Sequence, residues 1–497
     1  MALRTSVSHP LKIAEIRVGP GAGRIGITFC PGKKQEHSYT GGWDRDLDLD
    51  LDAVAKWGAA AVITLIEAQE IEELQVSRIG SAVADRHMSW FHLPIVDVST
   101  PCNRFEAEWA AKCEGIRSIL REGFDVLVHC KGGLGRAGMV AARLLVELGW
   151  DPAAAITEVR RVRPGAIETP AQVEHVKSFP PHPTPHRSPD EAAVEDRALG
   201  ALLGLAVGDA LGTTLEFQSR DKQPRVTGLV GCGPFGLKPG QWTDDTSMAL
   251  ALADSLIAHG RLDETDLMHR FVRWWRQGDY SCTGRCFDIG GTTSQALSRF
   301  EQTGDPMAGS AHHQSAGNGS LMRLAPVVLH GFGIGELGAL EVAEGQSRTT
   351  HAAPACVEAC REFAFRLYLA ATGKDRSFVF SFEGSAEDPE VQRVLAGSWR
   401  GKHRDEIRSS GYVVHSLEAA LWCVARTTTF EDAVILAANL ADDADTTAAI
   451  TGQLAGAMYG MSAIPDRWLQ QLAWRNKIEE AGRALLSGRA QAPVFHS

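Results

Sequence analysis

The sequence predicts a multi-domain protein in which an α/β domain comes first and a helical region follows. The chain has 497 residues, which is too long for one ordinary core, so two or three domains are expected. Val126 to Val128 form a short apolar strand signal, followed by a glycine-rich loop and a helical run. Later, apolar residues recur at helical spacing after Asp245 and again after Asp445.

A proline-rich stretch, S-F-P-P-H-P-T-P-H-R-S-P-D-E, separates these two regions. Proline interrupts both helices and strands, so the stretch is typical of a stiff linker. We therefore place a first domain at residues 1–178, the linker at 179–192 and a second domain at 193–497. The composition, 44% hydrophobic and 22% charged, is that of a soluble globular protein.

Charge and composition exclude several functional classes. The formal net charge of −11 argues against a general nucleic-acid binder, which needs a basic face. No apolar stretch is expected to span a membrane, and the N-terminus lacks a signal-peptide pattern. The glycine stripe from Gly200 to Gly212 is interpreted as a buried helix, because charged Asp209 and Glu216 end the apolar run. Ten cysteines without a disulfide framework favour a reducing, cytoplasmic location.

Two acidic clusters echo each other across the chain. T-D-D-T occupies residues 243–246 and D-A-D-T occupies residues 443–446, each just before a helix-like run. Carboxylate and hydroxyl oxygens are the ligands of hard divalent cations. The alternative is that both clusters are ordinary helix caps, since acidic residues in a first turn suit the helix dipole. The repetition favours a metal site.

The second region resembles the ADP-ribosylglycohydrolase family, which includes dinitrogenase reductase-activating glycohydrolases. The resemblance spans roughly residues 193 to 490 and rests on five motifs in the family's order. They are G-A-L-L-G-L-A-V-G-D-A-L-G-T-T-L-E, W-T-D-D-T, G-N-G-S-L-M-R-L-A-P, T-T-H-A-A-P and D-D-A-D-T-T-A-A-I-T-G. It implies a compact all-α fold with two Mg²⁺ or Mn²⁺ ions, and an ADP-ribosylated protein or small molecule as substrate.

The resemblance also implies site residues. Glu216 corresponds to an acidic residue beside the metals, and His351 to a histidine that lines the ADP-ribose pocket. A glycine-containing loop would wrap the diphosphate, because glycine lets backbone N–H groups approach an anion. The loop residues are Ser315, Gly317, Asn318, Gly319 and Ser320, and the implied metal ligands are Thr243, Asp244, Asp245, Asp443, Asp445 and Thr446.

Two further segments belong to this comparison. The family usually carries Gly-Gly before the second acidic pair, whereas Ala441 and Asp442 stand there in this chain. An additional carboxylate at that position is expected to alter metal affinity or preference. Asp288 begins D-I-G-G-T-T, which resembles a family loop near the substrate, although a helix cap explains that segment equally well.

The first region carries an independent signature, V-L-V-H-C-K-G-G-L-G-R-A-G. A strand, a glycine-rich loop and a helix N-terminus together form an anion-binding arrangement. Loop N–H groups and the helix dipole favour a thiolate at Cys130, and the planar fork of Arg136 fits phosphate oxygens. The intervening residues Lys131, Gly132, Gly133, Leu134 and Gly135 would contact the phosphoryl group.

This signature is the H-C-x-x-G-x-x-R pattern of cysteine-dependent phosphatases, and residues 10–178 resemble the cyclin-dependent-kinase-associated branch of the dual-specificity phosphatases. The resemblance implies that Cys130 is the nucleophile, that Arg136 holds the phosphoryl group and that Asp97 is the general acid. Gln172 matches a glutamine that helps to place water. Ala137 replaces the usual hydroxyl residue after the arginine, so we predict slow breakdown of the phosphocysteine.

The leading interpretation is a bifunctional hydrolase. Its second domain would release ADP-ribose from an acceptor, with arginine preferred over serine or a small molecule, and its first domain would act on a phosphorylated substrate. Both domains are hypothesised to serve one pathway, on a protein, an RNA end or a nucleotide. The alternative is a binding module for ADP-ribose and phosphate with a slow or inactive phosphatase domain.

Overall fold

A computed structural model describes residues 3–36, 41–179, 191–381 and 384–488. It divides into two compact units, Met1–Arg187 with Asp375–Ser377, and Ser188–Lys374 with Phe378–Ser497. Most of the predicted linker, residues 180–190, lies outside the described residues.

The first unit is built on a five-stranded sheet in the order β1-β2-β7-β5-β6. Strand β1 is antiparallel to β2, and the other pairings are parallel. The sheet strands are β1 (Ala14–Arg17), β2 (Arg24–Phe29), β5 (Ala59–Thr64), β6 (Ser89–His92) and β7 (Asp125–Cys130), with β3 (Lys34–Gln35) and β4 (Trp43–Asp44) forming a separate pair. The helices are α1 (Leu47–Trp57), α2 (Ala68–Glu73), α3 (Ile79–Ala84), α4 (Asn103–Arg121), α5 (Gly135–Glu147), α6 (Pro152–Val162) and α7 (Pro170–Lys177).

The side chains of β7 alternate between the two faces of this sheet, and both faces are buried. Val126 and Val128 belong to one apolar cluster with residues of α4, α5 and α6, whereas Leu127 belongs to a second cluster with residues of α1 and α3. Successive side chains of a strand point to opposite faces, so a continuous apolar run suits a central parallel strand covered on both sides. The predicted α/β class and the strand–loop–helix are confirmed, and the loop leaves the carboxyl end of β7.

The second unit is helical. Its longest segments surround one apolar core, and short 3-10 turns such as Thr213–Leu215 join some of them. The helices are α8 (Glu191–Gly212), α9 (Asp244–His259), α10 (Glu264–Gln277), α11 (Gly291–Thr303), α12 (Ala325–Thr350), α13 (Pro354–Ala371), α14 (Arg376–Ser381, which crosses the division between the units), α15 (Pro389–Leu395), α16 (Val413–Arg426), α17 (Phe430–Ala438), α18 (Ala444–Tyr459), α19 (Asp466–Gln471) and α20 (Arg475–Ser487).

The glycine stripe of α8 packs directly on α18. A Cβ on Gly204 would overlap the carbonyl oxygen of Gly452, and a Cβ on Gly208 would overlap that of Ala448. Glycine at every fourth position therefore lets the two backbones approach more closely than side chains allow. This close crossing brings the end of α8 beside the start of α18, where the second acidic cluster lies.

One prediction about the stripe needs correction. The segment Glu191–Leu215 is long and apolar enough to cross a membrane by length and composition, contrary to the expectation that no stretch is. However, 94% of its most apolar window is buried inside the protein. A core helix passes the same test, and this burial agrees with the interpretation of a buried helix.

Candidate active sites

Three helix ends meet in a buried acidic centre, a name used here for Asp209, Asp244, Asp245, Asp443 and Asp445 together with Thr243, Thr246 and Thr446. Asp209 lies in the last turn of α8, the 244–245 pair opens α9, and residues 443–445 open α18. Asp209 and Asp245 are fully buried, and Asp445 is 1% exposed. The predicted helix starts are confirmed, and they converge.

Asp209 organises the first half of this centre. Its carboxylate accepts hydrogen bonds from the backbone N–H and the hydroxyl of Thr243, both at 2.9 Å, and from those of Thr246 at 3.0 and 2.7 Å. Asp209 is not among the ligands predicted from the sequence. The available signal was an acidic residue inside an apolar, glycine-striped helix, where a charge needs a partner.

Asp445 lies at the middle of the centre. Carboxylate oxygens of Asp209, Asp245 and Asp445 all lie within 4.8 Å of one another. A second group within the same distance consists of Glu216, Asp288 and Asp445, so Asp445 is shared by both groups. The structure therefore offers two adjacent clusters of oxygen ligands around one carboxylate.

Glu216 and Asp288 approach the centre from loops. Glu216 accepts hydrogen bonds from the backbone N–H groups of Ala444 at 2.7 Å and Asp445 at 3.2 Å, so it caps α18 from a distant segment. Asp288 lies two residues before Gly290, the cap of α11. The helix-cap explanation of Asp288 is therefore wrong, and its carboxyl group lies beside the acidic centre, within 4.8 Å of those of Glu216 and Asp445.

Burial and mutual repulsion raise the pKa values in this centre. Burial, and then the charge of Asp445, raises the pKa of Asp209 to about 7 and that of Asp443 to about 7. Burial, and then the charge of Asp244, raises the pKa of Asp288 to about 11. The pKa values of Asp244 and Asp245 lie well above the ordinary value for the same two reasons.

The arrangement fits bound divalent cations. Several carboxylates are buried against one another, which is costly without a compensating cation. The Oδ1 atom of Asp245 is buried and has no hydrogen-bond partner within the described ranges. All the ligand atoms are oxygens of carboxylates or hydroxyls, which hard cations such as Mg²⁺ and Mn²⁺ prefer.

The predicted diphosphate loop adjoins Asp443. The Nδ2 atom of Asn318 donates to Oδ2 of Asp443 at 2.5 Å and to Oγ of Ser416 at 2.8 Å. The ring of His351 packs under the loop, since a Cβ on Gly319 would lie 2.8 Å from Cε1 of His351. Glycine is thus required at Gly319 for this close contact.

His351 and Ser320 both lie beneath the loop surface. His351 is 2% exposed, and burial lowers its pKa to about 3, so its imidazole is neutral. Ser320 is fully buried, and its hydroxyl oxygen accepts from Ser347 at 2.9 Å and from Cys360 at 3.4 Å. These interior bonds engage the hydroxyl of Ser320, and its contact with substrate stays a prediction. Ser315, half-buried, ends the preceding 3-10 turn.

The Ala441–Asp442 departure has a backbone signature. Both residues have positive φ, at 60° and 63°, a region that side chains disfavour and glycine adopts freely. The side chain of Asp442 is exposed, so it does not join the buried ligand groups. The pKa of Asp443 is raised mainly by burial and by the charge of Asp445, and the charge of Asp442 adds a smaller increase.

In the first unit, Cys130 ends β7 and faces the loop that precedes α5. Its Sγ atom accepts a hydrogen bond from the backbone N–H of Gly133 at 3.2 Å. Gly133 has φ of +70°, which explains glycine there. Arg163 donates to the carbonyl oxygens of Gly133 at 2.9 Å and Gly132 at 3.3 Å and so fixes the loop. Leu134 precedes the helix, and Gly135 is its first residue.

The guanidinium of Arg136 is held by two carboxylates. It pairs with both oxygens of Glu70 at 2.6 and 3.0 Å, and its Nη2 atom lies 2.9 Å from Oδ1 of Asp97. Its Nε atom is buried and lacks a hydrogen-bond partner among the residues described. That orphan donor suits an oxyanion. Glu70 was missed, because a glutamate in a first helical turn, where it also caps α2, carries no special sequence signal.

Three other residues of the phosphatase signature have defined surroundings. Lys131 lies 3.6 Å from Glu73, so its charge is paired within the loop region. The carboxamide of Gln172 caps α7, donates to the carbonyl of Ser99 at 3.3 Å and lies close to Gly135. Ala137 is fully buried in the first turn of α5. Arg136 pairs with Asp97, and Cys130 ends the strand that leads into this loop, while the catalytic roles of all three residues stay predictions.

A family model described as ADP-ribosylglycohydrolase matches residues 190–493, which is more than half of the chain. The chain belongs to the ADP-ribosylglycohydrolase family. A second family model, described as the DSP-PTPase phosphatase domain of a Swiss Army Knife protein, matches residues 44–184. This ADP-ribosylglycohydrolase therefore also contains a phosphatase domain.

Curated relatives support the family assignment. The chain is 45% identical over 307 residues to an ADP-ribosylarginine hydrolase Tri1 of Pseudomonas putida, covering 61% of this chain and 81% of the relative. It is 47% identical over 291 residues to the protein of that name from Serratia proteamaculans, covering 58% and 79%. It is 36% identical over 287 residues to the ADP-ribosyl-[dinitrogen reductase] glycohydrolase of Rhodospirillum rubrum, covering 56% and 91%.

A solved structure gives the same result for the fold. The structure of an ADP-ribosylglycohydrolase-related protein complex superposes with a TM-score of 0.54 at 42% identity, covering 60% of this chain and 99% of that chain. The predicted combination of an α/β phosphatase domain and an all-α ADP-ribosylglycohydrolase domain is confirmed.

Proposed function

We propose that the second domain hydrolyses the bond between ADP-ribose and an arginine side chain, with two divalent cations, Mg²⁺ or Mn²⁺, at the acidic centre. The observation that carries the proposal is that two clusters of three carboxylates lie side by side and share Asp445. The names of the relatives from P. putida and S. proteamaculans favour arginine over serine as the acceptor. The substrate would be an ADP-ribosylated protein or a small molecule.

The acidic centre, together with Glu216 and Asp288, would hold both ions through oxygen atoms. Asp209, Asp245 and Asp445 supply one group, and Glu216, Asp288 and Asp445 supply the other. The remaining ligands expected from the family are Thr243, Asp244, Asp443 and Thr446. When bound, such ions polarise a substrate oxygen and lower the pKa of a water molecule.

The chain's own residues would orient the substrate and move protons. The loop around Asn318 would hold the diphosphate near Asp443, which places the ribose over the acidic centre. Hydrolysis adds a hydroxyl group to the anomeric carbon and a proton to the departing guanidine nitrogen. Glu216, which accepts a hydrogen bond from the N-terminus of α18, would accept the proton of the attacking water.

The test measures free ADP-ribose after incubation with ADP-ribosyl-arginine and ADP-ribosyl-serine peptides, in Mg²⁺, Mn²⁺ or chelator. Release from the arginine peptide that requires a cation and disappears in Asp445→Ala supports the proposal. Release only from the serine peptide, or release undiminished by chelator, contradicts it. Binding of ADP-ribose without release from either peptide indicates a binding module or an RNA-linked or small-molecule substrate.

We further propose that the first domain is a cysteine-dependent phosphatase, an activity that the phosphatase-domain match and the Arg136 site support. Cys130 would attack phosphorus and displace the leaving oxygen, which Asp97 would protonate. Water would then cleave the phosphocysteine. The expected result with p-nitrophenyl phosphate is a burst of product followed by slow turnover, and Cys130→Ser should abolish both. We also propose a reducing, cytoplasmic location for the protein, because all ten cysteines are free thiols.

A further inference from the structure

Three phenylalanine rings form a cluster in the second unit, called here the aromatic group: Phe217, Phe235 and Phe287. The rings of Phe217 and Phe235 meet edge to face with centroids 6.1 Å apart, and those of Phe235 and Phe287 are 5.2 Å apart. Phe217 is 65% exposed, while the other two are half-buried. The cluster therefore presents one ring whose surface is available to a ligand.

The backbone holds Phe217 in a costly conformation. Its φ is +58°, a region in which a bulky side chain is an outlier. Its N–H donates to the carbonyl of Asp442 at 2.8 Å, and the N–H of Asp442 donates to the carbonyl of Gln218 at 2.9 Å. These bonds fix the segment, so the exposed ring is maintained against its conformational preference. Such strain concentrates at ligand-binding sites.

The aromatic group adjoins the carboxylates of the second ligand group. Phe217 follows Glu216 in the chain, and Phe287 precedes Asp288. The carboxyl groups of Glu216 and Asp288 lie within 4.8 Å of that of Asp445. An exposed aromatic ring thus stands beside a concentration of negative charge.

The diphosphate is already assigned to the loop at Asn318, which donates to Asp443. A substrate whose diphosphate lies on that loop would place its glycosidic bond at the acidic centre, within reach of Glu216 and Asp288. We propose that the aromatic group is the acceptor subsite and binds the guanidinium of the ADP-ribosylated arginine. This inference rests on the proposed hydrolase function.

The chemistry of guanidinium matches this surface. The group is planar and weakly hydrated, it stacks on aromatic faces, and it pairs with carboxylates. A serine hydroxyl gains neither the cation–π contact nor the charge attraction. The aromatic group therefore selects for an arginine acceptor, with Phe217 as a specificity-determining residue.

The test compares the full-length wild type, Phe217→Ala and Phe217→Leu in Mg²⁺. KM and kcat are measured with an ADP-ribosyl-arginine peptide, together with the inhibition constant of free ADP-ribose. Leu337→Ala, which removes a 73% exposed apolar side chain on α12, is the control for general loss of apolar surface. A separate arm needs no turnover, because it measures the calorimetric Kd of agmatine, a guanidinium probe, in the presence of ADP-ribose.

We expect Phe217→Ala to raise KM about tenfold while the ADP-ribose inhibition constant stays within twofold, and Phe217→Leu to raise KM less. An unchanged KM overturns the proposal, and so does a parallel loss of ADP-ribose binding, which would place the ring on ADP-ribose. If wild type releases no ADP-ribose, the hydrolase proposal fails on its own. The agmatine measurement then tests the subsite on its own. The subsite proposal is supported if Phe217→Ala weakens agmatine binding, and it is overturned if wild type and all variants bind agmatine equally.

Discussion

The acidic centre and the phosphate loop, a name used here for residues 130–136, accommodate buried charge in different ways. The acidic centre buries several carboxylates against one another, and one oxygen of Asp245 has no hydrogen-bond partner in the part of the chain that the structure describes. The phosphate loop also buries a charge, on Arg136, but supplies it with Glu70 and Asp97. Like charges that are buried together therefore indicate a bound ligand of opposite charge. A buried charge that is already paired with opposite charges of the protein needs no ligand to compensate it.

We expect the largest effect from replacing Asp445, because both ligand groups contain it. We expect Asp445→Ala to lower kcat for ADP-ribose release by about 10²–10³-fold or more. Phosphatase activity should stay unchanged. Asp442→Asn, at an exposed carboxylate, is the matched control and should retain near wild-type release. Substantial release by Asp445→Ala would contradict the assignment.

In the phosphate loop, the corresponding change is Arg136→Lys. A lysine keeps the charge but loses the planar fork, so we expect kcat/KM for p-nitrophenyl phosphate to fall about 10²-fold. ADP-ribose release serves as the internal control and should not change. Arg161→Lys, at an exposed ion pair, should leave both activities intact. Equal phosphatase rates in wild type and Arg136→Lys would remove Arg136 from the mechanism.

The raised pKa values predict an unusual pH dependence of stability. The pKa values of Asp209 and Asp443 are about 7 in the folded protein and about 3.9 when unfolded, so the folded state binds more protons between these values. In chelator, the Tm of the second unit should therefore fall by about 5 °C or more from pH 4 to 7.

Cation binding should reverse this trend, because the ligands bind metal only when deprotonated. Thermal scans with Mn²⁺ should show a Tm that rises over the same pH range. Asp209→Asn should flatten the dependence measured in chelator. A metal-free Tm that rises with pH would mean that the carboxylates are not mutually repelling in the folded protein.

The smallest expected effect concerns Ala137. Because a hydroxyl at this position would stabilise the departing thiolate, Ala137→Ser should raise steady-state phosphatase turnover a few-fold, and wild type should show a burst followed by a slow phase. Stopped-flow measurement with a chromogenic phosphate separates the two phases. Equal steady-state rates, with no burst in wild type, would contradict the slow breakdown of the phosphocysteine.

Local signals could be predicted from the sequence and long-range contacts could not. The starts of α9 and α18 carry carboxylate and hydroxyl residues followed by helical periodicity, and the loop after Val128 has a fixed glycine pattern. By contrast, the pairing of Glu70 with Arg136 joins residues 66 positions apart without a motif. Positive φ at Phe217 and Asp288 has no sequence signal either, because neither is glycine.

Equilibrium binding of Mn²⁺ to the full-length protein is the most direct test of the metal site, since it counts ions without requiring a substrate. We expect two ions per chain in wild type, with both lost or severely weakened in Asp445→Ala and one weakened in Asp288→Ala. Wild type that binds no ion at the acidic centre, or Asp445→Ala that binds two as tightly as wild type, would contradict it.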